Sequence, residues 1–243
     1  MESIKNLLEY YDELYPVTEA QQKFFEEFIS IYPRPTRFLN IGCGTGVMEN
    51  RLAKDTTDVT GLETDRGLLE SATRKHRTQL MAVRYFQMST IEMSRFLGKG
   101  FYNVISCLND RIIFIHDQVL LKKFFFDCRQ LLAEDGTVVI GLTNYDLYNP
   151  EPRIILPEIK SIRVSLSGRI TKDAEGNAWL DRRVETGNGR FLPVYEKTKV
   201  YVLHPDELTA FAKEAGFTSV EFYDGFTKRP ADEKTVNLIA MIK

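Results

Sequence analysis

The run Arg37-Phe38-Leu39-Asn40-Ile41 is strand-like. It passes directly into Gly42-Cys43-Gly44-Thr45-Gly46 and then into a helical pattern from Val47 to Lys54. No other stretch limits the fold so tightly. Glycines let the backbone turn sharply and let a ligand approach the main chain. A helix start beyond such a turn offers unpaired N–H groups and a positive dipole end to an anion. A dinucleotide loop has the spacing G-x-G-x-x-G. Here the third glycine comes one position early, and Val47 stands where that spacing needs glycine. No Gly-Lys-Ser/Thr follows, which argues against a P-loop NTPase.

The surrounding chain alternates in period. The first 30 residues read as helix, with Leu7, Leu8, Tyr11, Leu14 and Tyr15 at helical spacings and Pro16 as an interruption. Asp58 to Glu63 is a second strand, Gly67 to His76 a helix, and Val83 to Gln87 a short strand. Tyr102 to Cys107 is a stronger strand. Gln118 to Leu132 is a helix with Leu121, Phe125, Cys128 and Leu132 on one face. A turn at Ala133-Glu134-Asp135-Gly136 leads to a strand over Thr137 to Thr143. Strands alternating with helices predict a parallel sheet covered on both faces.

The pattern changes after Pro150. Residues 151–203 show no helix and contain alternating runs, with turns at Asp173-Ala174-Glu175-Gly176-Asn177 and Gly187-Asn188-Gly189. This segment is expected to be an antiparallel insertion of three strands. His204-Pro205-Asp206 opens a helix that Gly216 ends, and a strand pair follows, Phe217 to Tyr223 and Val236 to Ile242. The expected division is residues 1–150 with 204–243 as the cofactor-binding unit, and 151–203 as a β-rich cover over the substrate.

Composition bears on partners. Lys plus Arg number 32 and Asp plus Glu 34, a net charge of −2, so no broadly basic surface points to nucleic acid. No apolar run approaches the roughly 18 residues of a spanning helix. The first residues, Met1-Glu2-Ser3-Ile4-Lys5, lack the apolar region of a secretory signal. A cytoplasmic protein with no membrane partner is expected. The three cysteines, Cys43, Cys107 and Cys128, form no CxxC, so neither a zinc site nor a disulfide framework is indicated.

Glu63 ends the second strand, 17 residues after Gly46. In a doubly wound sheet this places a carboxylate at the same edge as the glycine loop. There it can accept two hydrogen bonds from a ribose diol. Loop and acid together are far more specific than either alone.

On these residues the sequence resembles the class I S-adenosylmethionine-dependent methyltransferases, over nearly the whole chain. Leu39 to Gly46 resembles that family's first motif, and Val59-Thr60-Gly61-Leu62-Glu63 its ribose-binding motif. Tyr85-Phe86-Gln87-Met88-Ser89 is similar to the adenine segment, Phe101 to Cys107 to the fourth-strand motif, and Leu131 to Thr137 to the turn before the fifth strand. The resemblance implies an α/β, Rossmann-like, seven-stranded, mostly parallel sheet of order 3-2-1-4-5-7-6, with the antiparallel β insertion added. It implies S-adenosyl-L-methionine as cofactor and a small-molecule acceptor, an amine or a hydroxyl, methylated by in-line displacement. A monomer or homodimer is expected.

Site residues follow from the same resemblance. Tyr11, Asn40, Gly42, Gly44, Gly46, Glu63, Thr64, Ser89, Thr90, Leu108 and Asn109 are expected on the cofactor side. Asn144, Tyr145, Arg163, Arg182 and Tyr195 are expected on the substrate side. No metal ligand and no obligatory catalytic residue is implied, because the sulfonium is already an excellent leaving group. Three positions depart from the family. Asn40, Ser89 and Asn103 stand where acids are usual; they can hydrogen-bond but supply no negative charge.

Plainer readings compete. Cys43, Cys107 and Cys128 suit a core, and His116 suits a helix start. The arginines of the insertion suit a solvated face, and Tyr11 suits packing. Two other functions stay open at this point. One is a catalytically reduced methyltransferase-like module that binds cofactor or a partner. The other, an NAD-dependent reductase, has the wrong loop spacing and lacks a Tyr-x-x-x-Lys pair.

Overall fold

The structure is a computed structural model that describes residues 4–54, 56–76, 82–148 and 153–243. The N-terminal segment forms three helices, α1 (Ile4–Leu8), α2 (Tyr11–Leu14) and α3 (Glu19–Ser30), where one interrupted helix was expected. Pro16 explains the second break, because its ring cannot continue a helix. Thr18 then starts α3 as its N-cap, its hydroxyl accepting from the Gln21 N–H at 3.1 Å.

Strands and helices then alternate: β1 (Thr36–Ile41), α4 (Val47–Leu52), β2 (Thr57–Glu63), α5 (Arg66–His76), β3 (Val83–Gln87), α6 (Met93–Phe96) and β4 (Tyr102–Cys107). A 3-10 turn at Arg111–Phe114 leads to α7 (Gln118–Leu131) and β5 (Leu132–Thr143). The strand begins earlier than expected. Tyr102 pairs with Leu132 and Val104 with Thr137, so the expected turn at 133–136 is an irregularity inside β5, with Asp135 at φ +59°.

After β5 come a 3-10 turn at Tyr145–Leu147 and five strands: β6 (Arg153–Ile155), β7 (Ile159–Lys160), β8 (Val164–Lys172), β9 (Ala178–Thr186) and β10 (Phe191–Val200). The expected three strands are β8, β9 and β10; β6 and β7 are short additions that both pair with β8. The boundary expected at Pro150 lies outside the described residues. Helix α8 (Pro205–Glu214) and the pair β11 (Val220–Asp224) and β12 (Asn237–Ile242) complete the chain.

The main sheet has seven strands in the order β3-β2-β1-β4-β5-β12-β11. Counted within this sheet alone, that is the expected order 3-2-1-4-5-7-6. The first five strands are parallel, and β12 runs antiparallel to both β5 and β11. Its central strands are apolar on both faces, as a doubly covered sheet requires: Val138, Val139 and Ile140 are all fully buried. On one face α3 brings Phe25 edge-on against Phe38, with centroids 5.4 Å apart. Leu121, Phe125 and Cys128 of α7 pack on the core of the other face.

The second sheet buries Val164, Leu166, Val184 and Val194 against Leu7, Tyr11 and Leu14 of α1 and α2. These two short helices therefore lie between the second sheet and the glycine loop. Among the described residues no helix is long and apolar enough to cross a membrane.

Candidate active site

The site is assembled where parallel strands end. Beyond Ile41 the Gly42 and Cys43 N–H groups both donate to the Leu62 carbonyl, at 2.8 and 2.9 Å, which ties the loop to the end of β2. Gly44 lies at φ +58°, a left-handed conformation that side chains resist. Glu63, 3% exposed, closes this turn. Its Oε2 accepts from the Gly44 N–H at 3.0 Å, and its Oε1 from the Thr64 and Asp65 N–H groups at 2.8 and 3.1 Å. Each carboxylate oxygen has two lone pairs, so the group keeps acceptor capacity.

Four side chains pack on the loop glycines. Gly44 has no room for a Cβ, because one would lie 2.3 Å from the Tyr11 hydroxyl oxygen. A Cβ at Gly42 would lie 2.8 Å from Cγ of Arg111. At Gly46 the neighbours are Tyr85 and Ala72, so this glycine serves helix–strand packing rather than the cavity. The Arg111 guanidinium donates to the Tyr11 hydroxyl at 3.0 Å and stands 3.9 Å from Glu63 Oε2. Burial pushes the Tyr11 phenol well above its ordinary range, which keeps it neutral.

A cavity of about 310 Å³ opens beside this group, over the ends of β1, β2 and β3. Gly42, Glu63, Thr64, Ser89 and Thr90 all line it, with Tyr195 reaching in from the second sheet. A second cavity of about 360 Å³ lies over the ends of β4 and β5 and the start of β12, and includes Leu108, Asn109, Asp110 and Arg182. A gap of about 10 Å³ shares Arg111 and Tyr195 with the first cavity and Asp110 and Arg182 with the second.

A family model described as a methyltransferase domain matches residues 38–136. The full chain has the class I fold: it superimposes on the CcbJ methyltransferase of Streptomyces caelestis with a TM-score of 0.78 and 19% identity, over 98% of this chain and 96% of that one. A Geobacillus protein described as a methyltransferase is 28% identical over 126 residues, 51% of this chain and 50% of its own length. The ubiquinone biosynthesis O-methyltransferase of Vibrio parahaemolyticus is 33% identical over 111 residues, 46% of this chain and 45% of its own. The chain thus spans about half the length of the curated relatives it matches.

The matched segment itself compensates for Asn40. Asn40 lies between Gly61 and Ser106 in register, buried beneath the loop. Its Nδ2 donates to Glu49 Oε1 at 2.6 Å, and its Oδ1 accepts from the Ser106 hydroxyl at 2.8 Å. A carboxylate is therefore present under the loop, but α4 supplies it. Glu49 is fully buried, and its Oε2 has no partner among the described residues. Burial lifts its carboxyl to about 7.

Other expected residues are placed differently. Ser89 spends its N–H and hydroxyl on Glu92 Oε2, at 3.0 and 2.8 Å, while still lining the first cavity. Asn144 is turned away: its Nδ2 donates to the Thr235 carbonyl at 3.0 Å and its Oδ1 accepts from the Asp146 N–H at 3.2 Å. It caps a 3-10 turn and is buried, so it does not face either cavity. Tyr145 is likewise buried. Arg163 is exposed and paired with Glu13 of α2 through Nε at 2.8 Å and through Nη2, clamping the second sheet to the N-terminal helices. Neither its position nor its partner brings it to the cavities.

Sequence reasoning missed Glu49 and Arg111. Glu49 had a readable signal. It lies three residues before Leu52 and next to Met48, on the apolar side of α4, where a solvated glutamate does not belong. Arg111 had none, because its reach to Glu63 and Tyr11 joins segments about 50 and 100 residues away.

Proposed function

We propose that this protein transfers a methyl group from S-adenosylmethionine to a nitrogen or oxygen atom of a small molecule. The observation that carries the reading is the position of Glu63. Its carboxylate ends β2 and lines a cavity that Gly42, Ser89 and Thr90 also line. A carboxylate so placed suits a ribose diol, with Thr64, Ser89 and Thr90 toward the adenine. The hydroxyls of Ser89 and Thr90 supply polarity without charge, which suits a neutral base.

Held by Glu63 and the glycine loop, S-adenosylmethionine would supply an electrophilic methyl group for in-line displacement by an acceptor lone pair. The protein's part is alignment and the exclusion of water. Tyr11 and the Arg111 stem lie on Gly44 and Gly42, so the methionine half of the cofactor requires both to move aside. Tyr11 belongs to a four-residue helix, which makes that movement a local one. In this reading the second sheet and α2 close the acceptor side, with Asn109 and Tyr195 beside the point of transfer and Leu108 beneath it. The −2 charge supports a small acceptor over nucleic acid.

The test is calorimetric titration of the purified protein with S-adenosylmethionine and S-adenosylhomocysteine, followed by turnover against a panel of small amines and phenols. Saturable binding with methyl transfer to one acceptor class is expected. Absence of binding at millimolar cofactor overturns the reading. Binding without transfer to any member favours the non-catalytic module.

A further inference from the structure

Arg182 is placed unlike any other arginine of the second sheet. It pairs in register with Gly168 of β8, and a Cβ at Gly168 would lie 2.4 Å from Arg182 Cγ. Glycine in the middle of a strand marks a close approach. Here it lets the arginine stem lie flat across β8, so that Nη1 donates to the Tyr15 hydroxyl at 2.9 Å. Arg182 lines the 360 Å³ cavity at the end of β4, on the Tyr15 side, and also a 460 Å³ cavity on the second sheet.

Its donors are largely unspent. A guanidinium carries five N–H donors. Among the described residues Arg182 makes one hydrogen bond, to the Tyr15 hydroxyl, and no ion pair within 4.0 Å. Arg163, just before β8, shows what a purely structural arginine does here: it faces solvent and grips Glu13 with two nitrogens. With most of its donors uncommitted among the described residues, the guanidinium is free to hold an anionic ligand.

The cavity says which anion. Arg182 is the one cation among its described lining residues, and Asp110 the one carboxylate. Asp110 is held on Thr143, accepting from its N–H at 2.6 Å and its hydroxyl at 2.7 Å. Much of the remaining lining is apolar, including Leu14, Leu108, Ile159 and Phe226. A phosphate dianion would meet one positive charge and one negative one. A carboxylate matches the planar fork of a single arginine and adds only one charge.

We propose that Arg182 recognises a carboxylate on the methyl acceptor, which makes the substrate class small acids with an apolar body. This rests on the methyl-transfer reading above. The acid lies at Arg182, the apolar body fills the cavity, and the reacting atom points through the gap at Asp110 and Arg111 toward the cofactor.

The probes are 3-phenylpropionate and hexanoate, each against its primary amide, titrated by calorimetry into protein with and without S-adenosylhomocysteine. At least one acid is expected to bind about tenfold or more tightly than its amide, the range of a charge-assisted hydrogen bond. In Arg182→Met the acid should fall to the level of the amide, while S-adenosylhomocysteine affinity stays within about twofold. If Arg182→Met does not fold, Arg182→Gln keeps the stem and removes the charge. Binding of neither acid, no preference over the amides, or a preference that survives both substitutions overturns the proposal. A preference for acids in protein that binds no S-adenosylhomocysteine would keep the Arg182 site and overturn methyl transfer, so the two failures are separable.

Discussion

Asn40 donates a 2.6 Å hydrogen bond to Glu49, and the pair sits buried directly beneath the glycine loop. One oxygen of the carboxyl is thereby satisfied and the other has no partner among the described residues. Burial outweighs the Asn40 bond, so the group titrates near 7 rather than in the usual carboxylate range. In the unfolded chain it ionises at its ordinary, lower pKa. Between these values the folded state binds more protons than the unfolded state, so stability declines as pH rises through that window. The decline is about 3 kcal/mol for a shift of this size. Urea denaturation from pH 4.5 to 8 should show this fall in the native protein and not in Glu49→Gln. Parallel curves for the two proteins would remove Glu49 as the cause.

Glu63 accepts from three backbone N–H groups, those of Gly44 in the loop and of Thr64 and Asp65 after β2, and lines the first cavity. Glu63→Ala should weaken S-adenosylhomocysteine binding by about 1.5–3 kcal/mol through lost charge-assisted bonds. Glu63→Gln retains the size but not the charge and should fall between. Calorimetry measures both. Unchanged affinity in Glu63→Ala would place the ribose elsewhere.

Gly44 carries the Tyr11 ring on its open face at φ +58°. Gly44→Ala should destabilise the fold in two parts, a clash with Tyr11 and a backbone strain of about 1–3 kcal/mol. Combining it with Tyr11→Ala should remove only the first part. A double-mutant cycle by urea denaturation separates them. Simple additivity would show that the ring yields without cost.

Cys43 lies in the middle of the glycine loop yet is buried, as are Cys107 and Cys128. Burial pushes the Cys43 thiol up, and the nearby Glu49 and Glu63 carboxylates add to this. A thiol reagent at pH 8 should therefore find no reactive cysteine in the native protein and three in denaturant. Rapid native labelling of Cys43 would mean that the loop opens readily.

Much of this architecture was legible before any coordinates. β3 and β4 were readable to the residue, because short apolar runs bounded by turn residues leave little choice of register. The insertion was readable as antiparallel but not in its strand count. β6 has three residues and β7 two, too short for an alternation to register. The side chains of the site were less legible still. Asn144 was expected on the substrate side, but the nearby Thr235 carbonyl, 91 residues away, takes its amide. Arg163 and Arg182 look alike in sequence, and only their partners, Glu13 and Tyr15, separate them.

The order of apolar runs, the glycine spacing and the acid at the end of β2 came from the sequence alone. They are local patterns, and periodicity and turn chemistry act over a few residues. Tertiary structure decided that the missing acid at position 40 is replaced from α4, that Tyr11 and Arg111 lie on the glycines, and that Arg182 faces a cavity instead of solvent. Each of these depends on two segments distant in the chain meeting within hydrogen-bond range. Burial then sets the charge cost of that meeting, and no local pattern encodes it.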